Sequence, residues 1–286
     1  MRESDSRIVL GLHRSRYERR ILTGALDLGI TAIDTSFNYR GFTAHTTLAD
    51  VAGDLLPRFT LSTKVGFFPT AGRAEHSLDP ARLRAALDRT NRDLRCVPDL
   101  VLLHNPERSL PAYTTANRDA LGRACAALAT AAQAGLCGAW GISSWDPRPL
   151  PCLVDATLPR PAVLMVRAGL LAGIDVLAAS EALADQWGLT PDQVWGMSPF
   201  GGDPTDPVWG RLDPRVFISD ADNALAALQA AFRTAFRLPE VGRIAVGTDK
   251  PSHLRELIDA LRYEPDVGRL RSYRQLLRER AGRQAD

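Results

Sequence analysis

The chain has 286 residues, of which 45% are hydrophobic, so it is long enough to bury a large core. Its 35 basic and 33 acidic side chains leave a net charge of +2, too small to predict a nucleic-acid-binding or membrane-binding surface. We therefore expect one domain over residues 1–286 that binds a small molecule, with no nucleic acid and no membrane as a partner.

The four cysteines, Cys96, Cys125, Cys137 and Cys152, form no CxxC motif and no Cys/His cluster. We expect buried, reduced thiols and no metal site, as is typical of a cytoplasmic protein. Residues 1–16 lack the apolar core of a signal peptide, and no apolar run approaches the roughly 20 residues of a membrane span. The expected protein is soluble and cytoplasmic, either a monomer or a weak homo-oligomer.

Short apolar runs alternate along the chain with longer segments of helical periodicity, a pattern typical of parallel strands joined by helices. Eight such βα units predict an α/β fold, a (β/α)8 TIM barrel, with one extra C-terminal helix over 266–282. No GxGxxG or GxxxxGK[ST] motif follows any strand, so neither a Rossmann fold nor a P-loop is predicted. The predicted strands are residues 7–12, 30–36, 59–67, 98–106, 138–145, 162–169, 193–200 and 243–248.

Helix signals are clearest at four positions. Asp79 followed by Pro80 has the pattern of an N-cap and a first-turn proline. Gly29 and Gly135 are expected to end helices. The clearest predicted helices are residues 17–29, 79–94, 115–135 and 175–188.

Polar residues stand at the ends of three consecutive predicted strands. Asp34 lies near the end of the second strand with Tyr39 just beyond it, Lys64 lies late in the third, and His104 ends the fourth. Because the C-terminal strand ends of a barrel converge on one face, we expect the four side chains to meet. Taken singly, three of them also have structural interpretations: a turn cap, a loop anchor and a bond to local backbone.

Lys64 is the hardest of the four to explain structurally. Only Lys64 and Lys250 among the 35 basic residues are lysines, and a lysine in a buried strand needs a counter-ion, for which Asp34 is the candidate. An ammonium beside Tyr39 is expected to lower the phenol pKa from about 10 toward neutrality, so that the tyrosine can donate a proton. His104 can hydrogen-bond a carbonyl oxygen, so the group suits protonation of an alkoxide.

Six stretches of the chain, in the same order, resemble motifs of the aldo-keto reductase superfamily. Three of them, "GITAIDTSFNYRG", "LSTKVG" and "LLHNPE", carry the Asp-Tyr-Lys-His tetrad. The other three, "GISSW", "MSPFGG" and "VGTDKPSHLRE", are similar to the family's GVSNF strand, its YSPLG segment and its adenosine-phosphate loop. The likeness spans residues 7 to 260.

The resemblance implies an NAD(P)-dependent aldo-keto reductase or alcohol dehydrogenase. Such an enzyme reduces an aldehyde or ketone to an alcohol, or runs the reverse reaction, with NADP(H), or alternatively NAD(H), extended across the C-terminal face of the barrel. Tyr39 would be the general acid/base, Lys64 and Asp34 would tune it, and His104 would orient the carbonyl.

The resemblance also implies a set of binding residues, some of which depart from the family pattern. Met165 stands in place of a glutamine, Met197 in place of a stacking aromatic and Ser144 in place of an asparagine, while Lys250 and Arg255 can supply charge for the 2′-phosphate of NADPH. The implied cofactor contacts are Gly11, Leu12, Ser143, Ser144, Met165, Met197, Ser198, Phe200, Thr248, Lys250, His253 and Glu256. The implied substrate contacts are His13, Phe67 and Trp145, with Phe68 and Trp209 as further rim aromatics.

Two other functions remain open at this point. The three changed positions around the nicotinamide allow a barrel that keeps the acid/base tetrad but performs a cyclisation, dehydration or isomerisation on a biosynthetic intermediate. A cofactor-sensing regulatory subunit is the third hypothesis, although the sequence contains no added interaction tail.

Overall fold

Eight parallel strands close into a barrel in the order β1, β2, β3, β6, β7, β8, β9, β10 and back to β1. The computed structural model describes residues 7–111, 113–222 and 224–285. The predicted TIM barrel is thereby confirmed. The barrel strands are β1 (Ile8–Gly11), β2 (Ala32–Asp34), β3 (Thr60–Val65), β6 (Leu100–His104), β7 (Ala139–Ser144), β8 (Val163–Arg167), β9 (Val194–Met197) and β10 (Arg243–Val246).

Helices surround the barrel, and the predicted extra helix follows the last barrel unit. Asp79 accepts a hydrogen bond from the backbone amide of Arg82 at 2.8 Å, and Gly29 and Gly135 take positive φ values of 82° and 73° just after their helices. These caps are as predicted. The helices are α1 (Arg19–Asp27), α2 (Ala44–Ala52), α3 (Pro80–Leu94), α4 (Thr115–Gln133), α5 (Ile174–Gln186), α6 (Ala227–Ala235), α7 (Pro251–Ala260) and α8 (Val267–Ala285).

The connection between β7 and β8 departs from the predicted βα pattern. Residues 145–162, all of which are described, contain no α-helix and form only a short 3₁₀ turn, Pro151–Leu153. Five prolines in this stretch remove backbone donors and clash with a preceding helical turn, which explains the difference.

A two-stranded antiparallel hairpin, β4 (Phe67–Pro69) and β5 (Ala74–His76), follows β3 and was not predicted. The third predicted strand therefore ends early, at Val65. Gly66 makes the break, with φ of 142°, and a Cβ there would lie 3.0 Å from the carbonyl oxygen of His104. The hairpin thus lies against the end of β6.

Alternation along the strands divides the core into two layers. An outer layer lies between the barrel and the helices, and a smaller inner layer fills the barrel itself. The inner layer consists of Val9, Ala32, Leu100, Leu102, Met165, Trp195 and Ala245. Polar side chains at the C-terminal strand ends continue this inward-facing set.

All four cysteines are free, but they are not all buried as predicted. Cys125 and Cys137 are buried and Cys96 is partly buried, whereas Cys152 is exposed in the proline-rich connection, with its thiol 3.2 Å from the carbonyl oxygen of Pro149. None of the helices in the described ranges has the length and apolar character that crossing a membrane requires.

His45 on α2 makes the stability of the fold depend on pH. Burial, and then the charges of Arg89 and Lys64, lower the pKa of His45 to about 3, while its Nε2 lies 2.8 Å from the hydroxyl of Thr63. The unfolded chain binds a proton near pH 6.5 that the folded chain does not bind, so stability is lost as pH falls below 6.5.

We expect the free energy of unfolding to fall by about 2 kcal/mol more in the wild type than in His45→Gln between pH 7 and pH 5. Urea unfolding at both pH values measures this difference. Equal losses in the two proteins would contradict the account of His45.

Candidate active site

Strand register brings Asp34, Lys64 and His104 together at the C-terminal mouth of the barrel. Asp34 is the Cα partner of Ser62, two residues before Lys64, and Lys64 is the partner of Leu102, two residues before His104. Residues two apart on a strand share a face, so all three side chains point into the barrel. They are 4%, 2% and 9% exposed, respectively.

The Lys64 ammonium uses all three of its donors at this site. It donates to the Asp34 carboxylate in a buried ion pair, to the carbonyl oxygen of Thr35 at 2.9 Å, and to the Tyr39 hydroxyl at 3.5 Å. Ser62 donates to the other Asp34 oxygen at 2.9 Å. The predicted ion pair and its contact with Tyr39 are therefore present.

The segment after β2 returns Tyr39 to the strand ends. The backbone amides of Thr35 and Phe37 donate to the carbonyl oxygens of Ser62 and Lys64 at 2.9 and 3.0 Å, so this segment continues alongside β3. The amide of Tyr39 then donates to the Ser36 carbonyl oxygen at 3.1 Å, which starts a turn. This turn places the phenol over Lys64.

The pKa of Tyr39 differs from the sequence prediction. Burial raises it, the Lys64 charge lowers it, Asp34 raises it again, and the net direction is upward. Burial of Lys64 lowers its own pKa, but Asp34 and Tyr39 outweigh this effect, so the pKa of Lys64 is raised and the amine stays charged. The predicted approach to neutrality is therefore wrong for Tyr39, which holds its proton as a neutral phenol.

His104 is a neutral, buried imidazole. Burial, followed by the charges of Lys64 and His76, lowers the pKa of His104 well below 6.5. Its Nδ1 lies 3.1 Å from the hydroxyl of Ser36, and its carbonyl oxygen accepts a hydrogen bond from His76 Nε2 at 2.8 Å. A neutral imidazole has one N–H, so the Ser36 contact decides which ring nitrogen carries it.

The Ser36 hydroxyl contacts three groups but has a single hydrogen. It donates to Oδ1 of Asn38 at 2.6 Å, the Lys64 carbonyl oxygen lies 3.4 Å away, and His104 Nδ1 lies 3.1 Å away. In the structure the amide oxygen faces Ser36, so Nδ1 of His104 carries the imidazole proton and donates to Ser36. If the Asn38 amide is turned over, its nitrogen donates to Ser36, Ser36 donates to Nδ1, and the imidazole proton moves to Nε2.

Aromatic rings surround the catalytic candidates. The ring of His13 lies 4.9 Å from that of Tyr39, and the ring of Phe67 lies 4.9 Å from that of His104. His13 and Phe67 thus lie beside the tetrad, the position expected of residues that contact the substrate. Phe68, by contrast, packs in the outer core beneath the guanidinium of Arg82.

Four of the implied cofactor contacts lie on the inner face of the barrel. Ser143 and Met165 are Cα partners on β7 and β8, both 1% exposed, and the Ser143 hydroxyl is buried without a partner among the described residues. Met197 ends β9 and is partly exposed, and Gly11 ends β1 opposite Asp34. Alternation directs Ser144 to the opposite face from Ser143, and Leu12 packs in the outer core.

The loop after β9 carries Ser198 and Phe200. Ser198 has a φ of 57°, and its buried hydroxyl has no hydrogen-bond partner within the described part of the chain. Phe200 packs edge-on against Trp209 at 6.4 Å and lies 6.5 Å from Phe232, which makes this ring a contact between the loop and α6.

Three of the implied phosphate-site residues cluster at the start of α7. The hydroxyl of Thr248 accepts from the backbone amide of Lys250 at 3.1 Å and lies 3.2 Å from His253 Nδ1. The ammonium of Lys250 and the imidazole of His253 thus stand at a helix N-terminus, which favours anions. Glu256, also exposed on α7, lies one turn further along the helix.

Trp145 lies at the rim of the mouth, 40% exposed, with the guanidinium of Arg167 5.2 Å from its ring centre. The Glu107 carboxylate accepts from the backbone amides of Trp145 and Asp146 at 2.8 and 3.0 Å. These two hydrogen bonds hold the loop after β7 against the segment that follows His104.

Several residues of the site were not predicted from the sequence. Ser62 lies two residues before Lys64 on its strand, and Arg167 lies two residues after Met165. Side chains two apart share a face of the strand, so this spacing could have identified both residues. Ser36 and Glu107 carry no such signal, because their contacts depend on how loops from different strands meet.

Comparison with known proteins gives the family. The sequence model of the Aldo/keto reductase family matches residues 13–171, more than half of the chain. No curated protein sequence matches it. A solved aldo-keto reductase from Bacillus halodurans, in its holo form, is 19% identical, with a TM-score of 0.70 over 97% of this chain and 95% of that chain.

A second solved structure, an aldo-keto reductase from Klebsiella pneumoniae in complex with NADPH, is similar in the same way. It is 19% identical, with a TM-score of 0.66 over 94% of this chain and 90% of that chain. At such low identity these structures show the shared fold, and the family model supplies the sequence relationship. The chain belongs to the aldo-keto reductase family.

Proposed function

We propose that the protein is an NADPH-dependent reductase of aldehydes or ketones, in which Tyr39 exchanges the proton of the alcohol oxygen. The observation that carries the proposal is the bonding of Lys64, whose ammonium contacts both the Asp34 carboxylate and the Tyr39 hydroxyl. Because Tyr39 accepts from Lys64, its own proton is free to be directed into the mouth of the barrel.

The charge of Lys64 also stabilises the tyrosinate that remains after Tyr39 gives up its proton. The raised pKa of Tyr39 suits this direction, since a neutral phenol is the proton donor that alkoxide formation needs. With the Asn38 amide turned so that its nitrogen faces Ser36, His104 hydrogen-bonds the carbonyl oxygen through Nε2–H and stabilises the negative charge that develops on it.

The residues around the mouth fit a nicotinamide cofactor. The hydroxyls of Ser143 and Ser198 are buried and lack partners among the described residues, so a polar ligand would satisfy them. We propose that Ser143 and Met165 hold the carboxamide end, that Met197 packs against the ring, and that Ser198 follows the pyrophosphate. When bound, the reduced nicotinamide supplies the hydride.

NADPH is proposed over NADH because of the cluster at α7. Thr248, Lys250 and His253 provide a hydroxyl, an ammonium and an imidazole at a helix N-terminus, which suits a phosphate. Glu256 is proposed to contact the adenosine end.

Cofactor titration tests the proposal directly. We expect NADPH to bind with a change in its fluorescence, to bind more tightly than NADH, and to be oxidised when an aldehyde is added. No change with either nucleotide at millimolar concentration would refute the reductase function. The variant Lys250→Ala should weaken NADPH binding and leave NADH binding unchanged.

Ser36→Ala tests the role assigned to His104. Removing the hydroxyl beside Nδ1 frees the imidazole to take either tautomer, so we expect kcat to fall about tenfold, the effect of one lost hydrogen bond. Ser36→Thr keeps the hydroxyl and serves as the matched control. Nitrogen-15 spectra of histidine should show protonated Nε2 in the wild type and mixed tautomers in Ser36→Ala, and unchanged spectra would contradict the role.

A non-redox reaction on the same tetrad is the second candidate. Met165, buried and apolar beside Ser143, favours it, because an amide partner for the nicotinamide carboxamide is missing there. In this case His104 would carry its proton on Nδ1, and Nε2 would act as a base toward a biosynthetic intermediate.

A further inference from the structure

Arg167 is a charged residue at the mouth of the barrel that the proposed reaction does not use. It ends β8 and shares the inward face with Met165, two residues earlier, while its Cα partner across the sheet is Met197 on β9. Its side chain therefore belongs to the ring of groups that includes Lys64, His104 and Ser143.

The guanidinium of Arg167 forms no salt bridge within the described ranges of the chain. Its Nε is buried without a hydrogen-bond partner. Asp146, whose charge acts on Arg167, is held by Arg148 through two hydrogen bonds of 2.7 and 2.6 Å, and Asp34 is held by Lys64. A partly buried guanidinium without a carboxylate is unfavourable, which points to a partner supplied by a ligand.

Trp145 and Arg167 together form a rigid platform beside His104. The guanidinium lies 5.2 Å from the indole centre. The backbone amide of Trp145 donates to the Asn105 side-chain oxygen at 3.2 Å and to Glu107 at 2.8 Å, and Asn105 directly follows His104. The platform is thus tied to the strand end that presents the carbonyl-orienting imidazole.

We propose that Arg167 binds an anionic group of the substrate, a carboxylate or phosphate, with the indole of Trp145 beneath the flat part of the molecule. The planar guanidinium matches the two oxygens of such a group, and its stacking on an aromatic ring leaves its donor edges free. This inference rests on the proposed reductase function and names its substrate class: carbonyl compounds that carry a negative charge.

The cofactor offers two other anions. Its pyrophosphate, which we place along Ser198 next to the Met197 partner of Arg167, is distinguished by the NADPH titration of the variant. The position of Arg167 argues against the 2′-phosphate. The phosphate-site cluster of Thr248, Lys250 and His253 follows β10, and β9 separates β10 from β8 around the barrel. Arg167 instead lies next to Trp145, on the side of the mouth that continues to His104.

Two aldehydes of different charge test the proposal: the 4-formylbenzoate anion and its neutral methyl ester. We expect the wild type to reduce the anion with the higher kcat/KM. Arg167→Met should lower kcat/KM about tenfold or more for 4-formylbenzoate, through KM, and change it less than twofold for the ester. Arg123→Met, which removes a positive charge from the exposed face of α4, should change neither value.

Equal losses for both aldehydes in Arg167→Met would overturn the proposal, because they would assign the side chain to packing on Trp145. If Arg167→Met raised the dissociation constant for NADPH and left the preference between the two aldehydes unchanged, the proposal would be overturned in favour of a cofactor phosphate. Arg167→Lys should recover only part of the preference, since an ammonium lacks the paired donors.

Calorimetric titration with 4-(hydroxymethyl)benzoate separates this proposal from the proposed function. If neither aldehyde is reduced but the anion binds to the wild type and not to Arg167→Met, the anion site stands and the reductase function fails. If both aldehydes are reduced at equal rates and the anion binds wild type and variant alike, the reductase function stands and the anion site fails.

Discussion

Replacing Tyr39 by phenylalanine is expected to lower kcat for carbonyl reduction by about 10²–10⁴-fold, the contribution of one positioned general acid. The phenyl ring keeps its contact with His13, at 4.9 Å between ring centres in the wild type, and loses only the hydroxyl that Lys64 contacts. We therefore expect the dissociation constant for NADPH to change little.

Stopped-flow reduction and fluorescence titration of Tyr39→Phe measure the two quantities separately. Tyr17→Phe is a matched control, because the Tyr17 hydroxyl bonds Thr35 at 3.1 Å and does not contact Lys64. If Tyr39→Phe kept most of the wild-type kcat, the phenol would not be the proton donor and the proposed mechanism would be wrong.

Replacing Lys64 by methionine is expected to have two large effects, one on stability and one on catalysis. Among the described residues, it leaves the buried Asp34 carboxylate with Ser62 as its remaining hydrogen-bond partner, so we expect a loss of about 3–5 kcal/mol in the free energy of unfolding. It also removes the positive charge that stabilises tyrosinate, so we expect kcat to fall about as far as it does in Tyr39→Phe.

The double variant Lys64→Met/Asp34→Asn separates these effects. Without a buried carboxylate the stability should recover part of the loss, whereas kcat should stay low because the charge beside Tyr39 is still missing. Chemical denaturation and initial rates measure the two outcomes. A double variant that recovers activity along with stability would show that Lys64 acts only on the fold.

Much of the barrel and three of the four tetrad positions were predictable from periodicity. Strand alternation and the convergence of strand ends suffice to bring Asp34, Lys64 and His104 to one mouth. Tyr39 was predicted from its place just beyond the end of the second predicted strand, and the resemblance to the family supports that prediction. The proline-rich connection after β7 was predictable in principle, because repeated prolines exclude a helix there.

The rest depended on tertiary contacts that no local pattern encodes. The direction in which the Tyr39 pKa shifts depends on how deeply the ring is buried. Burial outweighs the Lys64 charge on which the sequence-based prediction rested. The bond from Ser36 to His104 joins residues 68 positions apart, and it exists only because the loop after β2 folds over β3. The β4–β5 hairpin depends on Gly66, whose φ reflects the close approach of the His104 carbonyl.

The origin of the hydrogen on the product carbon tests the central claim most directly. NADPH carrying deuterium at both positions of nicotinamide C4 should be incubated with the protein and 4-formylbenzoate, and the alcohol analysed by mass spectrometry. The reductase account predicts one deuterium on the carbinol carbon of each product molecule. A substrate that is converted without any deuterium transfer would contradict it and assign the Tyr39 and His104 pair to non-redox chemistry.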